Sequence, residues 1–353
     1  MQNNLENGKQ IIKKYVDNNK LPGAVFAYVT KDDLQVDYYG YRSLTDNKPA
    51  LTDADTIYDL ASLSKVTCTQ ILIYKLMEEG LISLKMPVKS ILPEYKYDDI
   101  TIRHLMTHTS GLPADDKNYK NCKDGQQLWQ FICDLDKTYQ TGSKVEYSCF
   151  GFIILGKIIE HFKGNIEDYA KEVIFQPMGL TNMMYNPASK GRKGDCAPTE
   201  VTEARGVIQG DVHDGKAFIL GGLAGNAGLF ADIYSVSAIV QMILNNGNYK
   251  GKQILSSSSI KLMTRPFTDN LNEIRTIGGW YYGDRNTSNG DYFSANSLYH
   301  TGFTGTSIYI DLDRQCGVVL LTNAINPSRV TKIVEIRNLF YNQVLLAADR
   351  KGR

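Results

Sequence analysis

Strand-forming segments stand at the two ends of this chain and helix-forming segments fill the middle. That separation limits the fold more than any other feature of the sequence. Residues 24–30 and 34–41 are rich in Val, Phe and Tyr and are split by Lys31-Asp32-Asp33, which predicts a β-hairpin. Residues 298–301, 306–311 and 317–322 read as three further strands, the last two joined through Leu312-Asp313-Arg314-Gln315. Between the two sets, Leu63, Val66, Ile71, Tyr74 and Met77 recur at helical spacing up to Gly80, and residues 147–162 form a second apolar helix before Gly164. Helices are also expected at 8–19, 233–245 and 330–348. The simplest packing is an α+β fold. The N-terminal hairpin pairs with the C-terminal strands in one antiparallel β-sheet flanked by helices, with the terminal helices on one face. This divides the chain into a sheet domain (1–60 and 190–353) and an inserted, mostly helical domain (61–189). The cleft between them is the natural place for a site.

The chain has 353 residues, 42% of them apolar and 22% charged, enough to bury a core without disulfide or metal staples. Its most apolar stretches, 150–159 and 317–322, are core-length and far short of a membrane span. Thirty-nine basic against thirty-eight acidic side chains leave a net charge of +1. Nucleic acids and anionic membranes select for clustered positive charge, so neither is an expected partner. The start, Met1-Gln2-Asn3-Asn4, is polar and lacks a signal-like apolar centre. This points to a cytoplasmic protein, or to an exported one whose leader has been removed. Six cysteines with no CxxC spacing fit neither a zinc site nor a disulfide framework; reduced, mostly buried thiols are expected. Residues 190–228 are Gly-rich and weakly periodic, as ordered loops around a site would be.

Three short segments carry chemistry. Ser62-Leu63-Ser64-Lys65 sits where a loop enters the apolar helix, with Ser62 and Lys65 one turn apart on a shared face. A serine hydroxyl is a weak nucleophile until its proton is taken, and a partly desolvated lysine beside it can help. Helix-start N–H groups suit a developing oxyanion. The same spacing arises roughly once or twice by chance in a chain of ordinary composition, and Ser258-Ser259-Ile260-Lys261 repeats it in a polar Ser run that reads as a surface helix start. Tyr147-Ser148-Cys149 opens the second apolar helix, and a tyrosine near a lysine can shuttle protons. His300-Thr301-Gly302-Phe303 ends a strand, where Gly302 permits close approach of a substrate and the Phe303 N–H can join that of Ser62 at an oxyanion.

In this chain order the three segments resemble the serine β-lactamase and penicillin-binding protein superfamily, in which SxxK precedes a second polar motif and a strand ending in Thr-Gly. The tyrosine-containing second motif is similar to the class C β-lactamase-like branch. Tyr58-Asp59-Leu60-Ala61 before Ser62 and Ile102-Arg103-His104-Leu105-Met106-Thr107-His108-Thr109-Ser110-Gly111-Leu112-Pro113 resemble family segments. So do Phe175-Gln176-Pro177-Met178-Gly179-Leu180 and residues 221–230, and the likeness covers about residues 10–345. Two positions depart from the pattern. Cys149 stands where relatives usually carry Asn, and His300 where they carry Lys before Thr-Gly. The resemblance implies a serine acyl hydrolase acting through a Ser62 acyl-enzyme on a D-Ala-type peptide, a β-lactam or a small ester, with penicillin-binding proteins, DD-peptidases and esterases as its kin. The alternatives are an esterase or transacylase on the same scaffold and a penicillin-binding sensor that acylates without turnover. Lys65 and Tyr147 share the general-base and proton-relay roles, and the sequence leaves open which of them takes the first proton. His300 and Thr301 orient a carboxylate or assist the relay, and Cys149, Gly302 and Phe303 contact substrate. No cofactor or metal is implied. His104 and His108, four apart, lack a third ligand and read as structural; His213-Asp214 reads as a loop pin beside the cleft rather than a dyad.

Overall fold

The computed structural model describes residues 4–44, 50–283, 290–329 and 332–350. Its site-bearing strands are β1 (Gly23–Thr30), β2 (Leu34–Gly40), β3 (Tyr58–Asp59), β4 (Met184–Tyr185), β5 (Leu229–Ala231), β6 (Tyr281–Tyr282), β7 (Ser297–Thr301), β8 (Ser307–Asp311) and β9 (Cys316–Thr322). The helices that matter here are α1 (Glu6–Asp17), α2 (Gln70–Glu78), α3 (Ile102–Met106), α4 (Cys149–Lys163), α5 (Ile233–Leu244), α6 (Ser257–Thr264) and α7 (Ile333–Asp349). The main sheet runs β6-β7-β8-β9-β1-β2, antiparallel throughout. Its two ends of chain meet at β9 and β1, where Ala24 lies opposite Thr322 and Thr30 opposite Cys316. The expected joining of N-terminal hairpin and C-terminal strands is therefore the fold's central seam.

Strand side chains alternate between faces, and the two faces bury different things. Ala24, Phe26, Tyr299, Tyr309, Val318 and Leu320 pack with Ile12 and Val16 of α1 and with Phe340, Tyr341 and Val344 of α7. The two terminal helices thus share one face, as the pattern predicts. They cross closely because residue 8 is glycine: a Cβ there would come within 2.7 Å of Val344 and 2.9 Å of Phe340. Val25, Ala27, Val29, Leu298, Ile308 and Val319 turn the other way, onto Val236, Ile239 and Val240 of α5 and into the large core that also holds α2 and α4. His300 is two residues from Leu298, so it faces this helical side rather than the terminal helices. α4 is apolar on nearly every face and buried accordingly; it stops at Gly164, whose φ of 76° suits glycine.

The structure differs from the sequence pattern in small elements. β3, β5 and β4 form a second, three-stranded sheet of two- and three-residue strands, too short for a period-two signal to register. The turns ahead of α2 are π-helical over Lys65–Thr69. α7 begins at Ile333; residues 330 and 331, where that helix was expected to start, lie outside the described residues. No helix among the described residues is long and apolar enough to cross a membrane.

Candidate active site

Ser62 rises from a turn held on several sides. β3 pairs with β5, and the Asp59 carboxylate accepts the N–H groups of Ala61 and His213, each at 2.8 Å. Thr304 and Thr306, just past β7, donate to the carbonyls of Asp59 (2.8 Å) and Leu60 (3.1 Å). Ala61 is pressed into the left-handed region at φ 47°, an unusual conformation for alanine that the surrounding bonds impose. The wide π-helical turn then presents Lys65, fully buried, back toward Ser62. Its ammonium donates to Ser62 Oγ at 3.0 Å and to the Asn226 carbonyl at 2.7 Å, and meets Cys149 Sγ at 3.6 Å. Burial pushes this amine's pKa down, but Cys149, Tyr147 and Asp214 outweigh that and hold it above the ordinary lysine value.

Tyr147 precedes α4, and its place is set by a residue the sequence offered as merely structural. His108, left-handed at φ 56°, accepts the Ser148 N–H on Nδ1 (3.2 Å) and the Glu146 N–H on its carbonyl (2.9 Å). Tyr147 is thereby gripped on both sides, and its ring packs 4.6 Å from the imidazole. The Lys65 ammonium stands 5.0 Å from the Tyr147 ring centroid. The phenol hydroxyl is buried, feels the Lys65 charge, and has no hydrogen-bond partner among the described residues. Burial raises its pKa, and the Lys65 charge opposes that rise.

His300 on β7 is buried, with its ring 6.0 Å from that of Tyr147 and Nδ1 3.1 Å from the Thr301 carbonyl. Burial, then Arg275 and Lys65, push its pKa well below the usual imidazole value, so it is neutral at physiological pH. Gly302 lines the pocket and also serves a need within the fold that the sequence did not show. The space a Cβ would occupy is filled by the chain itself: Thr306 Oγ1 at 2.2 Å and the Leu60 carbonyl at 2.5 Å. The glycine lets the end of β7 close against the Ser62 turn. Among the described residues neither the Ser62 nor the Phe303 N–H donates to a backbone carbonyl, so both remain available. Ser62, Tyr147, His300, Thr301, Gly302 and Phe303 line one pocket of about 470 Å³, walled further by Ile325, Ile333 and Val334. Cys149 does not line it; its sulfur faces Lys65.

The competing features fall elsewhere. Ser258 and Lys261 are exposed on α6, whose N-cap Ser256 accepts the Ser259 N–H at 3.1 Å. α3 ends before His108, so His104 and His108 share no helical face; His104 Nδ1 instead closes a capping box with Thr101. His213 bonds Glu200 (2.8 Å) rather than Asp214, which caps the following helical turn and receives Asn226 Nδ2 at 3.1 Å. Its ring stacks on Phe303. Asn226, Asp59, His108 and Arg275 shape the site and were not singled out for it. The first three lie inside segments that resemble the family, which was their only signal.

An antiparallel sheet with a serine–lysine pair at its junction with a helical region is the arrangement of the β-lactamase and penicillin-binding fold. The chain belongs to the Beta-lactamase family, whose profile matches residues 9–339, and it is a serine hydrolase of the β-lactamase and penicillin-binding kind. It is 30% identical over 343 residues to an N-acetylmuramyl-L-alanine amidase of Bacillus subtilis (strain 168), covering 86% of this chain and 77% of that one. It is 32% identical over 317 residues to a protein provisionally named D-alanyl-D-alanine carboxypeptidase in Escherichia coli (strain K12), covering 80% and 72%. In fold it is similar to unliganded simvastatin synthase (LovD) from Aspergillus terreus, with a TM-score of 0.79, 19% identity and 100% of both chains covered.

Proposed function

We propose that Ser62 forms an acyl-enzyme with a D-Ala-type peptide, a β-lactam or a small ester, and that water then releases the acyl group. The observation that carries this reading is the buried Lys65 ammonium donating at 3.0 Å to the Oγ of Ser62, which lines the pocket. The names of the two bacterial relatives support a peptide amide as substrate. Lys65 has its protons committed to Ser62, the Asn226 carbonyl and Cys149, so it acts as the cation and Tyr147 as the base. As Oγ bonds to the carbonyl carbon, its proton passes to the phenolate form of Tyr147, the minor form that the Lys65 charge favours against burial, and the phenol so formed gives that proton to the leaving group. The N–H groups of Ser62 and Phe303 hold the oxyanion, while neutral His300 and Thr301 orient the substrate. In the same reading, residues 1–60 with 190–353 form the sheet domain and 61–189 the helical domain. Cys149 in place of an amide and the uncharged His300 favour a second reading, an esterase or transacylase on the same scaffold.

Intact mass, followed over time with a penicillin and with a p-nitrophenyl ester, tests this. The expected result is an adduct that forms and decays, absent in Ser62→Ala and unchanged in Ser258→Ala. Lys65→Ala and Tyr147→Phe should each lower turnover by on the order of a hundredfold or more while the fold persists. An adduct that survives in Ser62→Ala overturns the assignment, and one that never decays marks a sensor instead of an enzyme.

A further inference from the structure

Where the family pattern carries Lys before Thr-Gly, this chain has His300, whose ring stands 6.0 Å from that of Tyr147 and is kept neutral by burial. A different cation is close by. Arg275, on the segment just ahead of β6, is fully buried, and its guanidinium carbon lies 5.5 Å from the Tyr147 ring centroid, close to the 5.0 Å of Lys65. It lies 3.3 Å over the ring of Tyr281, which lines the pocket together with Tyr147 and His300. Arg275 itself does not line the pocket; it stands behind these rings. Its Nη1 donates to the Gly279 carbonyl at 2.6 Å and its Nε to Glu273 at 2.5 Å, while Nη2 has no partner among the described residues. Glu273 is about one-third exposed, so water screens the carboxylate more than it screens the guanidinium.

We propose that Arg275 is the second cation of the site, supplying from behind Tyr147 the positive charge that the third motif lacks at His300. This rests on the reading of Ser62 and Tyr147 given above. The groups facing Tyr147 are Ser62 and Lys65 from the nucleophile turn, Cys149 from α4, His108 from the segment after α3, His300 from β7, and Arg275. Two of these are fixed cations and two are imidazoles that burial and the cations keep neutral: Arg275 follows burial among the causes that push His300 and His108 down. Arg275 touches no reacting atom in this scheme. It is a positioning residue whose effect is electrostatic and passes through Tyr147, favouring the phenolate that accepts the Ser62 proton.

The test is the pH profile of kcat/KM for a neutral p-nitrophenyl ester, with imidazole NMR titration, in wild type, Arg275→Gln, Arg275→Lys and Glu273→Gln. Removing a cation makes the phenol harder to ionise. Arg275→Gln should therefore move the acid limb up by roughly one pH unit, as expected for a unit charge 5.5 Å from the ring at partly screened dielectric. Activity should fall about tenfold on that limb and little on the alkaline plateau, and His300 should begin to titrate. Arg275→Lys should hold the limb near its wild-type position. Glu273→Gln unmasks the guanidinium and should move the limb down. A limb unmoved in Arg275→Gln, or moved equally in Arg275→Lys, overturns the proposal and leaves Arg275 a packing residue. If Arg275→Gln does not fold, Glu273→Gln decides alone, and an unmoved limb there is equally fatal. Mass labelling of Ser62 in the same samples separates this failure from failure of the underlying reading: adduct on Ser62 with an unmoved limb removes only the role of Arg275.

Discussion

Cys149 places a thiol 3.6 Å from the Lys65 ammonium, at the motif position where relatives usually carry an amide. A thiol donates and accepts weakly and this one is turned to Lys65 behind the pocket wall, so under the proposed function an amide-bearing substrate would lack a partner here. His300 removes a second one, because burial and two nearby cations keep its imidazole neutral where a lysine would meet a carboxylate. Losing one well-placed hydrogen bond to a polar or charged group costs about 1.5–3 kcal/mol, roughly ten- to a hundredfold in rate. Wild type is therefore expected to hydrolyse nitrocefin slowly and a neutral p-nitrophenyl ester comparatively well. Cys149→Asn should raise β-lactam acylation more than ester hydrolysis. His300→Lys should help carboxylate-bearing substrates at neutral and alkaline pH, since burial and the two cations hold the imidazole it replaces well below its ordinary pKa. The comparison is kcat/KM for both substrates in the three proteins, and fast nitrocefin turnover by wild type would show that neither residue is a handicap.

The seam between β7 and the nucleophile turn is where element geometry becomes site geometry. Gly302 lets Thr306 and the Leu60 carbonyl approach to distances no Cβ tolerates. Gly302→Ala must push the Phe303 N–H away from Ser62, and overpacking of this kind typically costs about 1–3 kcal/mol. The expected outcome is a melting temperature lowered by several degrees together with a loss in kcat larger than the change in KM, because an oxyanion donor acts mainly in the transition state. A variant with wild-type kcat would place the oxyanion donors elsewhere. The same seam explains what the sequence could and could not reveal. The hairpin, the three C-terminal strands and the helices before Gly80 and Gly164 were legible, because period two, period 3.6 and glycine stops are local signals. Ser62 stood apart from Ser258 because an apolar helix buries one pair and a polar run exposes the other. Three things were not legible. β3, β4 and β5 are too short to carry a period. His108 reaches Tyr147 by an odd backbone conformation past a helix end. Arg275 comes from a segment with no motif, and only the tertiary fold sets it behind the tyrosine.

Across the whole molecule, burying neutral imidazoles links stability to pH. His108 and His300 are both fully buried with pKa values pushed well below the usual 6.5, chiefly by desolvation and then by Arg275 and Lys65; His104 is lowered less. In the unfolded chain these rings take up a proton near pH 6.5, whereas in the folded chain they do not. The unfolded state then binds more protons, so stability rises with pH between the folded and unfolded pKa values and is complete above about 6.5. Each such imidazole contributes a slope of up to about 1.4 kcal/mol per pH unit inside that window. Lowered carboxyls such as Glu200 and Asp311 act further down: their stabilisation is present above the ordinary carboxyl range and is lost only as pH falls through their folded values. Asp59, pushed up by burial, works with the opposite sign, so the absolute curve mixes terms and the difference between two proteins is the cleaner quantity. The urea midpoint of wild type is expected to change little from pH 8 to 7 and to fall progressively from 6.5 to 5. His300→Gln keeps a polar side chain that does not titrate, and its midpoint should fall less steeply over the same range, by about one imidazole's share. Parallel curves for the two proteins would mean that His300 becomes protonated in the folded state, and with it would go the uncharged third motif on which both the substrate preference and the need for Arg275 depend.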